Sequence, residues 1–159
     1  MTPTKVLFLD IDGVLNSRRT VVAFKGYPHG FDGYDRDRFD WVAVALISRL
    51  CEETGASIVL SSSWRIIHSV QECANGLDLP IFDRTPSLDG IRGMEINAWL
   101  AEHPEVTDYA IVDDNSDMLE SQKSRFVQTD ELVGLSIVNW VALKQILGVK
   151  SNEDQREAA

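Results

Sequence analysis

The sequence predicts an α/β fold built on a central parallel sheet, and three observations lead there. Short apolar runs that read as buried strands alternate along the chain with longer segments of helical spacing. Two of those runs, Val6-Leu7-Phe8-Leu9 and Tyr109-Ala110-Ile111-Val112, stop abruptly at carboxylates: Asp10 and Asp12 after the first, Asp113 and Asp114 after the second. Acidic clusters at the ends of neighbouring parallel strands fall in the crevice where open α/β sheets place their ligands. The length of 159 residues suits one compact core, and no repeat period or second domain is visible.

The elements follow in order. The first strand covers Val6 to Leu9, and Gly13 supplies backbone freedom for the turn beyond it. The Gly- and Asp-rich stretch from Gly26 to Asp37 is too irregular for a regular element. A helix then runs from Asp40, suited to an N-cap, to Gly55, suited to a C-terminal stop, with Val42, Ala43, Leu46 and Leu50 as its core face. The second strand is Ser57 to Leu60. A helix from Arg65 to Ala74 ends before Gly76, a short strand spans Pro80 to Phe82, and another helix begins near Arg92 and ends by Pro104. Strands at Tyr109–Val112 and Arg125–Gln128 precede a last helix, Ser136 to Leu147. One domain over 1–149 is expected, with a polar, disordered tail at 150–159.

Composition narrows the function classes. A net charge of −10 argues against a general polyanion-binding surface. Residues 16 to 38 nevertheless carry Arg18, Arg19, Lys25, Arg36 and Arg38 against only three acids, whereas residues 101 to 159 hold five basic and twelve acidic side chains. Positive potential beside the first acidic pair suits a phosphorylated substrate. Cys51 and Cys73 lack metal or redox spacing and read as buried thiols; His29, His68 and His103 also lack ligand spacing. No apolar run approaches membrane length, and no signal-peptide pattern opens the chain, so a cytoplasmic protein without a membrane partner is expected. Four carboxylates in one crevice repel one another unless a hard cation neutralises them, and oxygen-only ligands favour Mg²⁺.

The motifs Asp10-Ile11-Asp12-Gly13-Val14, Ser61 at the head of Ser61-Ser62-Ser63-Trp64-Arg65, Arg92 in Ile91-Arg92-Gly93-Met94-Glu95, and Asp113-Asp114 stand in one order along the chain. In that order and spacing they resemble the four motifs of the haloacid dehalogenase (HAD) superfamily of aspartate-nucleophile phosphohydrolases. The strings Asp12–Asn16, Ser61–Arg65, Arg92–Ile96 and Val112–Asn115 together look like the small HAD domains associated with RNA-repair proteins. The resemblance covers residues 4 to 148 and implies a three-layer Rossmann-like core. The intervals Gly13–Ser57 and Arg65–Arg92 leave no room for a large cap domain.

The resemblance also assigns roles. Asp10 becomes the nucleophile that forms an aspartyl-phosphate, and Asp12 the general acid and base. Mg²⁺ falls to Asp10, the Asp12 carbonyl, Asp114 and Asp113. Ser61 donates to the phosphoryl oxygens, with Ser62 as the alternative in the serine run, and Arg92 steadies the shared negative charge. Gly13 and Arg65 fall on the substrate side, Arg65 holding a second phosphate or carboxylate or pairing with an acid of the cluster. Asn115 and Asp117 join the outer shell or cap the next turn, and Trp64 reads as core. The expected activity is a Mg²⁺-dependent phosphomonoester hydrolase acting on a nucleic-acid end, a nucleotide or a small phosphate. A non-enzymatic binding or regulatory domain and a phosphotransferase are the alternatives on the same scaffold.

Overall fold

The computed structural model describes residues 2–149, so the tail expected at 150–159 lies outside the described residues. In chain order the elements are β1 (Lys5–Leu9), α1 (Arg18–Phe24), α2 (Gly33–Asp37), α3 (Trp41–Thr54), β2 (Ser57–Leu60), α4 (Trp64–Ile67), α5 (Val70–Leu77), β3 (Ile81–Arg84), α6 (Arg92–Ala101), β4 (Asp108–Asp113), a 3₁₀ helix (Glu120–Arg125), β5 (Phe126–Gln128) and α7 (Ile137–Leu147).

The five strands form one sheet in the order β3-β2-β1-β4-β5. Every pairing is parallel. Side chains of β1 alternate between the faces. Leu7 and Leu9 join the core under α3, α5 and α7, with Ile47, Leu50, Leu77, Leu143 and Leu147. Val6 and Phe8 turn to the opposite face and pack on Ile96 and Trp99 of α6. The sheet is therefore a middle layer between helices, and neither long connection folds into a large cap among the described residues.

This topology positions the site. The chain leaves β1 for β2 and β3 on one side, and β4 and β5 lie on the other, so the strand order reverses at β1. In register, Leu9 sits beside both Leu60 and Val112. One step further, Asp10 N–H donates to the Val112 carbonyl at 3.1 Å and Ser61 N–H donates to the Leu9 carbonyl at 3.1 Å. Asp10, Ser61 and Asp113 thus leave the sheet at one level.

Some local expectations need correction. The stretch after β1 is more regular than its composition implies: Ser17 starts α1 with a capping box to Thr20, and α2 lies within Gly26–Asp37 without burying a residue. The helix expected over Arg65–Ala74 is two helices, because Ser69 opens a second capping box with Glu72 and α5 continues through Gly76. A Cβ at Gly76 would collide with the Phe31 ring. In α3 the caps are Asp40 and Gly55. Val42 is 71% exposed, however, and the buried face is Ala43, Val44, Ile47, Leu50 and Cys51. Cys51 and Cys73 are both free and buried. No helix among the described residues is long and apolar enough to cross a membrane.

Candidate active site

The turn after β1 is held by short-range bonds. Val14 and Leu15 N–H groups donate to the Ile11 carbonyl, at 3.1 and 2.8 Å. Gly13 sits at φ +83°, and a Cβ there would collide with the Asp114 carboxylate. Only glycine lets the first and fourth motifs approach this closely. The Gly13 carbonyl accepts from Thr129 Oγ1 at 2.7 Å, which ties the turn to the segment after β5.

Asp10 and Asp12 stand two residues apart in different surroundings. Asp10 is buried at the end of β1, and one carboxylate oxygen each from Asp10, Asp113 and Asp114 lie within 4.8 Å of one another. Asp12 is half-buried, and each of its oxygens accepts from a neutral donor: Oδ1 from Asn16 Nδ2 at 2.8 Å, Oδ2 from Trp64 Nε1 at 3.2 Å.

Arg92, the first residue of α6, supplies the cation. Its Nη1 lies 3.2 Å from Asp10 Oδ1 and 2.6 Å from Asp113 Oδ2. Asp117 Oδ2 accepts from the Arg92 main-chain N–H at 3.2 Å, so Asp117 caps α6 and stands outside the acidic trio. Asn115 N–H donates to Asp113 Oδ1 at 2.9 Å.

One guanidinium does not balance these acids. Burial, and then the charge of Asp113, hold the Asp10 carboxyl well above the usual carboxylate range against the pull of Arg92. Burial also raises Asp113, opposed by Arg92 and by the Asn115 N–H. Burial alone would lower Arg92, and the charges of Asp10 and Asp113 override it. Three carboxylates face one guanidinium, and their all-oxygen donor set fits a hard divalent ion.

The serines divide the work differently from expectation. Ser61, whose N–H donates to the Leu9 carbonyl next to Asp10, has a buried Oγ without a hydrogen-bond partner. Ser62, expected on the substrate side, is buried and its Oγ accepts from Trp64 N–H at 3.2 Å. Of these three, Ser63 is the serine that lines the cleft, together with Asp10, Asp12, Arg92, Asp114 and Asn115.

Arg65 is not available to a substrate. It is 4% exposed. Its Nε donates to Thr85 O, its Nη1 to Ser61 O and Ser62 O, and its Nη2 to Pro86 O and Glu95 Oε2. All five donors are spent inside the protein, locking the serine loop to the segment after β3 and to α6. The basic residues expected near the nucleophile also lie elsewhere. Arg36 covers the Trp41 ring and Arg38 faces Asp35 at 3.7 Å. None of Arg18, Arg19, Lys25, Arg36 and Arg38 lines the acidic cleft.

The sequence reading missed Asn16 and the Trp64 indole as partners of Asp12. Asn16 carries a local signal, a polar side chain four residues after an acid in a tight turn. Trp64 carries none, being 52 residues away.

The family described as HAD domain in Swiss Army Knife RNA repair proteins matches residues 6–139. No curated protein and no solved structure matches the chain.

Proposed function

The chain belongs to the HAD domain family of Swiss Army Knife RNA repair proteins, and we propose that it is a Mg²⁺-dependent phosphomonoester hydrolase that works through an aspartyl-phosphate. The observation that carries this reading is the pair of aspartates at the end of β1. One is buried against Arg92 as a member of the acidic trio; the other is fixed by two neutral donors at the cleft wall. A phosphatase of this kind needs a nucleophile and a proton-transfer group side by side in unlike environments.

Asp10 Oδ attacks phosphorus as the bond to the leaving oxygen breaks, and Asp12 gives that oxygen its proton. Asp12, now a carboxylate, takes a proton from water. The water oxygen then attacks the aspartyl-phosphate, releasing inorganic phosphate and restoring Asp10. Asn16 and Trp64 hold the Asp12 carboxyl in place through both steps. Ser61 Oγ, buried without a hydrogen-bond partner, would donate to a phosphoryl oxygen. Arg92 keeps the nucleophile and Asp113 oriented and offsets negative charge as the phosphoryl group arrives. Asp10, Asp113, Asp114 and the Asp12 carbonyl would hold Mg²⁺, which neutralises the carboxylates and polarises the phosphoryl group. The family's association with RNA repair supports a nucleotide or nucleic-acid phosphate as the substrate class.

Phosphate release by the Asp10→Asn variant tests the reading. It should fall to background while the circular dichroism spectrum stays that of the wild type. Turnover near the wild-type rate would overturn the assignment.

A further inference from the structure

A second cavity of about 460 Å³ adjoins the acidic cleft. The Tyr27–His29 segment between α1 and α2 forms one side, and Trp64, Ile66 and Ile67 of α4 form the other. Asp12, Ser63, Asp114 and Glu131 line both spaces, which makes them continuous, whereas Asp10 and Arg92 line only the acidic one. No Lys or Arg among the described residues lines the second cavity.

Resting on the phosphatase reading above, we propose that this cavity is the leaving-group subsite, and that it selects phosphomonoesters whose alcohol carries an uncharged planar ring. In-line displacement places the leaving oxygen opposite the nucleophile, next to the general acid. Asp12 borders both spaces and Asp10 only the acidic one. A phosphoryl group over Asp10 therefore directs its leaving group past Asp12 into the second cavity.

The lining explains the selectivity. Trp64 stacks on His68 with centroids 5.0 Å apart, so this side of the cavity is aromatic, and the Trp64 indole N–H holds Asp12. Ile66 and Ile67 are 65% and 81% exposed, which leaves apolar surface at the mouth for a ring to cover. The opposite wall is already in place. His29 N–H donates to Asp35 Oδ1 at 3.0 Å, and the His29 carbonyl lies 3.0 Å from His68 Nε2. A strand continuing into further phosphates would instead meet Asp12, Asp114 and Glu131 without a lysine or arginine to receive it. Nucleosides and simple aryl alcohols share the required chemistry.

Matched pairs with the same class of leaving alcohol test this. One pair is a nucleoside 5′-monophosphate against ribose 5-phosphate; the other is benzyl phosphate against ethyl phosphate. The ring-bearing member of at least one pair should show a kcat/KM at least about tenfold higher, and the pair that shows it names the source of the ring. The double variant Ile66→Ser with Ile67→Ser should shrink that ratio by about threefold or more. A tetranucleotide with a terminal phosphate should be a poorer substrate than the mononucleotide. Equal efficiency within both pairs, or a preferred oligonucleotide, would overturn the subsite while leaving a working phosphatase. Absence of turnover on every one of these phosphates would instead overturn the phosphatase reading itself.

Discussion

Trp64 Nε1–H donates to Asp12 Oδ2 at 3.2 Å, so a side chain from the start of α4 fixes the orientation of an acid on the turn after β1. The bond crosses between two strand ends, and the same indole ring packs against Phe31, Phe39 and His68. The Asp12 carboxyl is therefore only as rigid as this aromatic cluster. Trp64→Phe keeps a ring in place and removes the donor. We expect kcat to fall about ten- to a hundredfold with KM nearly unchanged, the worth of one hydrogen bond to a charged group. Steady-state kinetics decide it, and an unaltered kcat would remove Trp64 from the mechanism.

Arg65 and Glu95 form a buried pair at 2.9 Å, with relative exposures of 4% and 7%. Glu95 Oε2 also accepts from Leu88 N–H at 2.8 Å. Arg65→Met should destabilise the fold by about 3–5 kcal/mol, because it strands a buried carboxylate and four carbonyls. The protein that remains folded should keep its KM, since the guanidinium faces inward. Urea denaturation separates the two effects; a raised KM at wild-type stability would restore Arg65 to substrate contact.

Divalent cation should act on stability as well as on rate. An ion that binds only the folded protein adds about 2.7 kcal/mol at a hundred times its Kd. Mg²⁺ should therefore raise the Tm of the wild type, and Asp114→Asn should blunt that rise. Chelation should stop phosphate release and Mg²⁺ restore it. A metal-stripped protein that turns over in excess EDTA contradicts the assignment of the acidic trio.

Gly13→Ala meets two penalties, a backbone at φ +83° and a collision with Asp114. The strained φ alone costs about 1–3 kcal/mol. We expect loss of phosphate release together with a lowered denaturation midpoint. A variant with wild-type activity would show that the two acidic turns separate easily.

The buried thiols give a pH signature. Burial, aided by Glu52, pushes Cys51 up to about 12, and burial, aided by Glu72, pushes Cys73 up to about 11. Unfolded cysteines ionise near pH 8.5. Above that value the unfolded chain releases thiol protons that the folded chain retains, so this contribution is whole below about pH 8.5 and is lost as pH climbs towards 12. The denaturation midpoint of the wild type should fall more steeply above pH 9 than that of Cys51→Ala with Cys73→Ala. Parallel curves would show that the thiols are not protected.

The parallel sheet is legible because its strands are short apolar runs that end at charges. The caps Asp40 and Gly55 are legible because one residue type suits each position. The acids after β1 and β4 were recognisable as a group because adjacent parallel strands must end on one edge. What escaped notice depends on packing. In α3 both Val42 and Val44 fit a helical spacing with the residues from Leu46 to Leu50, and only the side on which the sheet lies buries Val44 and exposes Val42. Arg65 has the residue type of a phosphate ligand, and only the carbonyls gathered around it turn it inward. The capping boxes at Ser17 and Ser69 are local signals that go unnoticed when a Gly-rich or continuous apolar pattern dominates the reading.

The bond from Thr129 Oγ1 to the Gly13 carbonyl joins residues 116 apart in sequence. Leu135 N–H donates to the Val14 carbonyl, and Arg18 N–H to the carbonyl of Glu131, so the whole turn after β1 is braced by the far end of the domain. On a ribosome adding about 5–20 residues per second, that brace arrives roughly 6–23 s after Gly13 is made. Until then the turn beside Asp10 is unbraced, and a nascent chain halted before Thr129 carries all four motif aspartates without the bond that holds the first turn in place.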